Sequence, residues 1–178
     1  MKVISGKYKG RKLLGFNIDG TRPTMDRVKE SLFAMIQDYL AEATILDLFC
    51  GSGALGIEAL SQNSKYAYFI DKNPKAIQIT NKNIENLGIT NAEVIKSDYL
   101  KHLKNTTNIF DVIFLDPPYK TDYISQALHI IEERNLLKDN GIIVCETDQK
   151  SKVNINSFTS VKEKKYGDKY IVILKKIV

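Results

Sequence analysis

The chain is poor in the residues that metal and thiol chemistry draw on: its 178 residues hold two cysteines, Cys50 and Cys145, and two histidines, His102 and His129. Neither cysteine has a neighbour at metal-ligand spacing, so zinc is not expected. Both sit in apolar runs, Ile45 to Cys50 and Ile142 to Cys145, as buried reduced thiols do. The histidines fit no triad or ligand spacing and read as surface or packing residues. No apolar run is long enough to span a bilayer, and the first residues lack the apolar stretch of a signal peptide. The expectation is a cytoplasmic chain with no membrane partner. With 43% apolar residues over this length it can bury a full core.

The net charge of +5 is gathered at one end. Lys2, Lys7, Lys9, Arg11, Lys12, Arg22, Arg27 and Lys29 face only Asp19, Asp26 and Glu30, whereas residues 31–178 carry equal numbers of basic and acidic side chains. A neutral body with a basic end points to a polyanionic partner, because Lys and Arg that neutralise phosphates release condensed counterions. A solvated basic tail with no partner is the plainer alternative. Lys7, Lys9, Arg11, Lys12 and Arg22 are the candidate phosphate contacts, together with Lys120 further along.

Met1 to Phe16 mixes β-branched and basic residues around Gly6, Gly10 and Gly15, the pattern of a small β-hairpin or extended arm. Residues 1–23 are expected to form this basic arm and residues 24–178 the catalytic domain. Thr24 is placed to cap a helix on which Met25, Val28, Leu32, Phe33, Ile36, Tyr39 and Leu40 share one face.

From Thr44 onward short apolar runs alternate with helical stretches, which is the pattern of an α/β protein with a parallel sheet and crossover helices. Strands are expected at Thr44 to Phe49, Tyr66 to Ile70, Ala92 to Lys96, Asp111 to Leu115 and Gly141 to Glu146. Helices are expected at Leu55 to Leu60, at Pro74 to Leu87 between Asn73 and Gly88, and at Asp122 to Glu133. Phe158 to Lys165 and Lys169 to Ile177 flank Tyr166-Gly167-Asp168 and read as an antiparallel hairpin closing one edge of the sheet. Lys150 to Asn156 reads as a surface loop.

Asp47-Leu48-Phe49-Cys50-Gly51-Ser52-Gly53 follows the first apolar run, and Gly51 to Gly56 also satisfies the G-x-G-x-x-G pattern between a strand and a helix. Such a loop admits close backbone approach to a ligand at a helix N-terminus, where a pyrophosphate or an amino-acid carboxylate fits equally. Asp71, ending the second strand, is placed to accept from both ribose hydroxyls, or else to cap the next helix. Asp47 tips the balance, since a carboxylate beside the loop suits an ammonium or sulfonium ligand and repels a pyrophosphate. Asp98, past the third strand, either accepts from an adenine amine or caps a short helix through Leu103.

Asp116-Pro117-Pro118-Tyr119 follows Val112-Ile113-Phe114-Leu115, an apolar run that reads as a buried central strand, so it projects into the crevice beyond the strand ends. Two prolines forbid ladder pairing and leave the Pro117 carbonyl available. With the Asp116 carboxylate it makes two acceptors for a planar NH2 group, whose lone pair is otherwise delocalised into its ring. Tyr119 is placed to stack on the base. A strand simply ended by Pro-Pro is the bland reading. Glu146, at the fifth strand's end, either faces the crevice or, the favoured reading, is an ordinary strand-end carboxylate. In this order the two motifs point to methyl transfer from S-adenosylmethionine to an exocyclic amine.

Arg22-Pro23-Thr24, Asp26 to Glu30, Asp47 to Leu60, Asp116 to Tyr119 and Tyr166-Gly167-Asp168 together resemble the RsmD-type 16S ribosomal RNA guanine-N2 methyltransferases of bacteria, over essentially the whole chain. The resemblance implies a class I methyltransferase fold, Rossmann-like, with a mostly parallel seven-stranded sheet. It implies S-adenosylmethionine as donor and a guanine amine of 16S rRNA, in the small ribosomal subunit or its assembly intermediate, as acceptor. By position Asp47, Gly51, Gly53, Asp71 and Asp98, with Phe49 of the loop, line the cofactor, while Asp116, Pro117 and Tyr119 hold the guanine. Cys50 stands where the family usually has Ala, and Asp71 where it usually has Glu. A monomer is expected. The alternatives are another base N-methyltransferase acting on adenine N6, an NAD-linked oxidoreductase, and a noncatalytic RNA-binding or ribosome-assembly protein on the same fold.

Overall fold

The computed structural model describes residues 1–15, 23–118, 122–148 and 157–177. Seven strands form one sheet: β1 (Thr44–Asp47), β2 (Tyr66–Asp71), β3 (Ala92–Lys96), β4 (Phe110–Leu115), β5 (Leu137–Thr147), β6 (Phe158–Tyr166) and β7 (Lys169–Lys176). Their order is β3-β2-β1-β4-β5-β7-β6. The first five pair in parallel, and β7 runs antiparallel between β5 and β6. Five helices accompany them: α1 (Pro23–Ile36), α2 (Ala54–Ser61), α3 (Pro74–Leu87), α4 (Tyr99–Asn105) and α5 (Tyr123–Glu133).

The central strands are mostly apolar because both faces are covered. Alternate residues divide cleanly between two cores. Ile45, Phe69, Val112, Phe114, Ile142, Val144, Ile171 and Ile173 pack with α1, α2, α3 and the N-terminal arm through Phe33, Ile36, Ile57, Leu60, Leu87, Val3 and Leu13. Leu46, Ile70, Ile113, Leu115, Ile143, Cys145, Val172 and Leu174 pack with α4 and α5 through Leu103, Leu128 and Ile131. Both cysteines are buried and unpaired, and burial raises both thiols, Cys145 to about 12.

Two expectations shift. α1 starts at Pro23, so Thr24 lies inside its first turn rather than at its cap. β5 begins at Leu137, well before Gly141: Leu137 pairs with Phe110, and Ile142 with Val112, so two residues of β4 face a longer stretch of β5. Asn140 absorbs the bulge at φ 66°. Asn140-Gly141 mimics a turn in sequence, yet here it bends a strand that continues.

The arm holds a single antiparallel bridge, Lys2 to Lys12, not a ladder. Buried Glu58 on α2 fastens it, accepting from the backbone N–H of Ile4 at 2.9 Å and of Ser5 at 3.0 Å. Lys29 of α1 neutralises this carboxylate at 3.3 Å and donates to the Lys2 carbonyl at 2.7 Å. A buried charge satisfied this completely is stable only with all its partners present.

Candidate active site

Asp47, Asp71 and Asp116 come from β1, β2 and β4, three neighbouring strands, at their carboxyl ends. This is where ligands bind in open α/β sheets. Asp47 is buried and accepts the Gly56 N–H at 3.1 Å from beneath the loop. Asp71 accepts the Gly51 N–H at 3.0 Å through one oxygen and the Asn73 N–H at 2.9 Å through the other. Each oxygen keeps a further lone pair for a ligand hydroxyl. The helix after β2 is capped by Asn73, which accepts from Lys75 N–H, so Asp71 is not its cap.

The glycine loop is held by contacts that no motif announces. Gly53 sits at φ 83°, where a side chain is strained, and leads directly into α2. A Cβ on Gly56 would fall 2.3 Å from the Phe69 ring, so this glycine lets α2 lie against β2. Thr80 and Asn83, both buried on α3, donate to the carbonyls of Gly51 at 2.7 Å and Ser52 at 2.9 Å. Asn83 also exchanges hydrogen bonds with Leu14 of the arm, at 2.8 and 3.0 Å. Helical periodicity marks these two only as inward-facing. Cys50 approaches Thr80 with its thiol at 3.5 Å.

Phe49, at the end of the loop's first turn, belongs to an aromatic group with Tyr99 and Tyr123, at centroid distances of 5.0 and 6.1 Å. Asp98 is the N-cap of α4, and its Oδ2 accepts from Leu100 and Lys101 N–H at 3.0 and 3.2 Å. The capping alternative thus describes Asp98, and any ligand contact falls to its Oδ1.

Asp116 and Pro117 are half-buried at the end of β4. Of the two readings of Glu146, the structure favours the crevice over an ordinary strand end: it acts on Asp116 and is paired with Lys169. β4 and β5 pair Leu115 with Cys145, so Asp116, just past the end of β4, comes beside Glu146, which is still within β5, and the two carboxyl groups act on each other. Glu146 accepts from Lys169 of β7 at 2.9 Å. Burial first, then Glu146, pushes the Asp116 carboxyl well above its ordinary range, with Asp47 adding to the rise and Lys169 opposing it. Asp47 is pushed up to about 7 by burial, against the Gly56 hydrogen bond and with help from Asp71.

Lys7, Lys9, Arg11 and Lys12 are exposed on the arm. Arg11 also donates to the Asn86 carbonyl at 3.0 Å. Arg22, Tyr119, Lys120 and the loop expected at Lys150 to Asn156 lie outside the described residues. His129 is exposed and reaches Glu133 at 3.4 Å, whereas Nε2 of His102 is buried without a hydrogen-bond partner. Among the described residues no helix is long and apolar enough to cross a membrane.

A seven-stranded sheet in this order, its β7 reversed, with a glycine loop after β1 and an acid ending β2, defines a class I methyltransferase fold. The chain belongs to the family described as conserved hypothetical protein 95, whose model matches residues 1–175, and within it to the RsmD-type methyltransferases. It is 40% identical to ribosomal RNA small subunit methyltransferase D of Haemophilus influenzae, over 94% of this chain and 89% of that protein. Among solved structures, yhhF of Escherichia coli superposes with a TM-score of 0.89 at 30% identity, covering 99% of this chain and 97% of that one. A methylase of Haemophilus influenzae gives 0.83 at 35% identity, over 99% and 98% of the two chains.

Proposed function

We propose that the chain transfers a methyl group from S-adenosylmethionine to the exocyclic N2 amine of a guanine in 16S rRNA. It acts in the cytoplasm, as a monomer, on the small ribosomal subunit or an assembly intermediate. The observation that carries this reading is the convergence of an acid-flanked glycine loop and Asp116-Pro117 at the ends of adjacent strands. Relatives named for the RNA of the small subunit support the substrate class. The resemblance to the RsmD type supports guanine over adenine.

The donor set fits the cofactor. Asp71 is fixed by two backbone N–H groups with lone pairs to spare for ribose hydroxyls, Asp47 supplies negative charge toward a cationic ligand, and Phe49 offers a ring wall. Bound there, S-adenosylmethionine supplies a methyl group made electrophilic by its sulfonium. Gly51 and Gly53 allow the close approach, and Asp98 accepts from the adenine amine. Asp116 and the Pro117 carbonyl accept the two amine hydrogens of the base, which holds its nitrogen in place and localises the lone pair in the transition state. Tyr119 stacks on the base face, a contact worth about 1–3 kcal/mol. Residues 1–23 serve as a basic arm for the RNA and residues 24–178 as the catalytic domain. Lys7, Lys9, Arg11, Lys12, Arg22 and Lys120 meet phosphates.

The test incubates the protein with methyl-labelled S-adenosylmethionine and small subunits or naked rRNA lacking the modification, then identifies the labelled nucleoside. Label in N2-methylguanosine is expected. Label in adenosine overturns the base assignment, and no label on either substrate overturns the enzyme in favour of a noncatalytic RNA-binding protein.

A further inference from the structure

The proposed reaction leaves the amine with one proton too many, and Asp116 does not stand alone to receive it. Among the described residues the charged groups acting on Asp116 are Glu146 from β5, Lys169 from β7 and Asp47 from β1. The register explains why they meet. Leu115 pairs with Cys145, which sets Asp116 beside Glu146, and Glu146 pairs with Ile171, which lets Lys169, two residues before it, reach back over the same strand end. Glu146 and Lys169 are in contact at 2.9 Å, with the Glu146 side chain 16% exposed. Burial and the neighbouring Glu146 make the Asp116 carboxyl hold its proton more firmly than a free carboxyl does. With Lys169 charged, the group of three is neutral.

Resting on the methyl-transfer reading above, we propose that Glu146, held by Lys169, is a positioning residue that orients Asp116 and takes over the proton released from the methylated amine. The proton resides on Asp116, which donates it to the Glu146 carboxylate and so turns its other oxygen toward the amine. After methylation an amine N–H bond breaks and its electron pair returns to nitrogen. The proton bonds to the outward oxygen of Asp116, while the O–H bond facing Glu146 breaks and a new O–H bond forms on Glu146. Asp116 ends neutral, as it began. Glu146 ends neutral until water takes the proton from its partly exposed carboxyl, and Lys169 keeps its charge throughout.

Glu146→Gln and Lys169→Met test this in opposite directions. In the ligand-free protein, the carbon-13 carboxyl signal of Asp116 is expected to titrate at lower pH than wild type in Glu146→Gln, which loses the opposing carboxylate. It is expected to titrate at higher pH in Lys169→Met, which loses the countercharge. In Glu146→Gln, kcat falls at least about tenfold while KM for RNA stays put. Asp116 signals that titrate alike in all three proteins overturn the relay, as does a loss confined to KM. A wild type that methylates nothing defeats the reading of function instead, and the carboxyl titrations still decide whether the three groups act as one.

Discussion

Asp47 and Asp116 leave adjacent strands toward one crevice, yet they are built in opposite ways. On the cofactor side, acids meet donors: Asp47 accepts the Gly56 N–H and Asp71 those of Gly51 and Asn73, so each carboxylate is pinned by the loop it supports. On the acceptor side an acid meets an acid, Asp116 against Glu146, with one lysine to balance them. The first arrangement fixes geometry and suits binding. The second holds a proton that can move, which suits chemistry. Asp116→Ala draws the contrast most sharply. Turnover is expected to fall about 10³-fold or more, since the variant loses an acceptor that matters most in the transition state. Binding of S-adenosylhomocysteine, followed by calorimetry, is expected to stay within about twofold. An active variant would erase the distinction between the two sides.

Asp47 tests the cofactor side by pH. Its folded value lies near 7 against an ordinary 3.8, so between these values the folded protein binds more protons than the unfolded chain. The stability it contributes is therefore whole below 3.8 and is lost as the pH rises through about 7. A shift of that size corresponds to about 4 kcal/mol. Urea unfolding of wild type from pH 4 to pH 8 is expected to show this loss, and Asp47→Asn a flatter profile. A cationic ligand works the other way, favouring the ionised acid, so S-adenosylmethionine is expected to bind more tightly as the pH passes 7. Equal pH profiles for wild type and Asp47→Asn would remove Asp47 from the cofactor side.

What the residues announce beforehand follows the same division between local and distant. α3 was legible end to end because both its ends carry their own instructions: Asn73 caps it, Pro74 starts it and Gly88, at φ 67°, turns the chain away. The sheet was legible because strands covered on both faces are continuous apolar runs. The start of β5 was not, since Asn140-Gly141 is a turn in one context and a bulge in another. The loop and the Asp116 motif are contiguous, so their chemistry shows in order along the chain. Glu146, Lys169, Thr80 and Asn83 are single polar residues of unremarked type. They become meaningful only through the pairing of β5 with β4 and β7, and through the packing of α3 beneath the loop. Their positions depend on register, which a lone sequence does not disclose.

The smallest expected effect contrasts the two faces of the sheet. The arm packs on one face with α1 and α2, whereas α4 covers the other. Lys9 and Lys12 are exposed on the arm, and Lys101 is exposed on α4. If the arm meets phosphates, Lys9→Ala with Lys12→Ala reduces the slope of log affinity against log salt for rRNA by about 2, one unit per lost contact. Lys101→Ala leaves the slope where it was. Filter binding at a series of salt concentrations reads both. A slope lost with Lys101 and kept without Lys9 and Lys12 would move the RNA to the opposite face, and the basic end would then be a solvated tail.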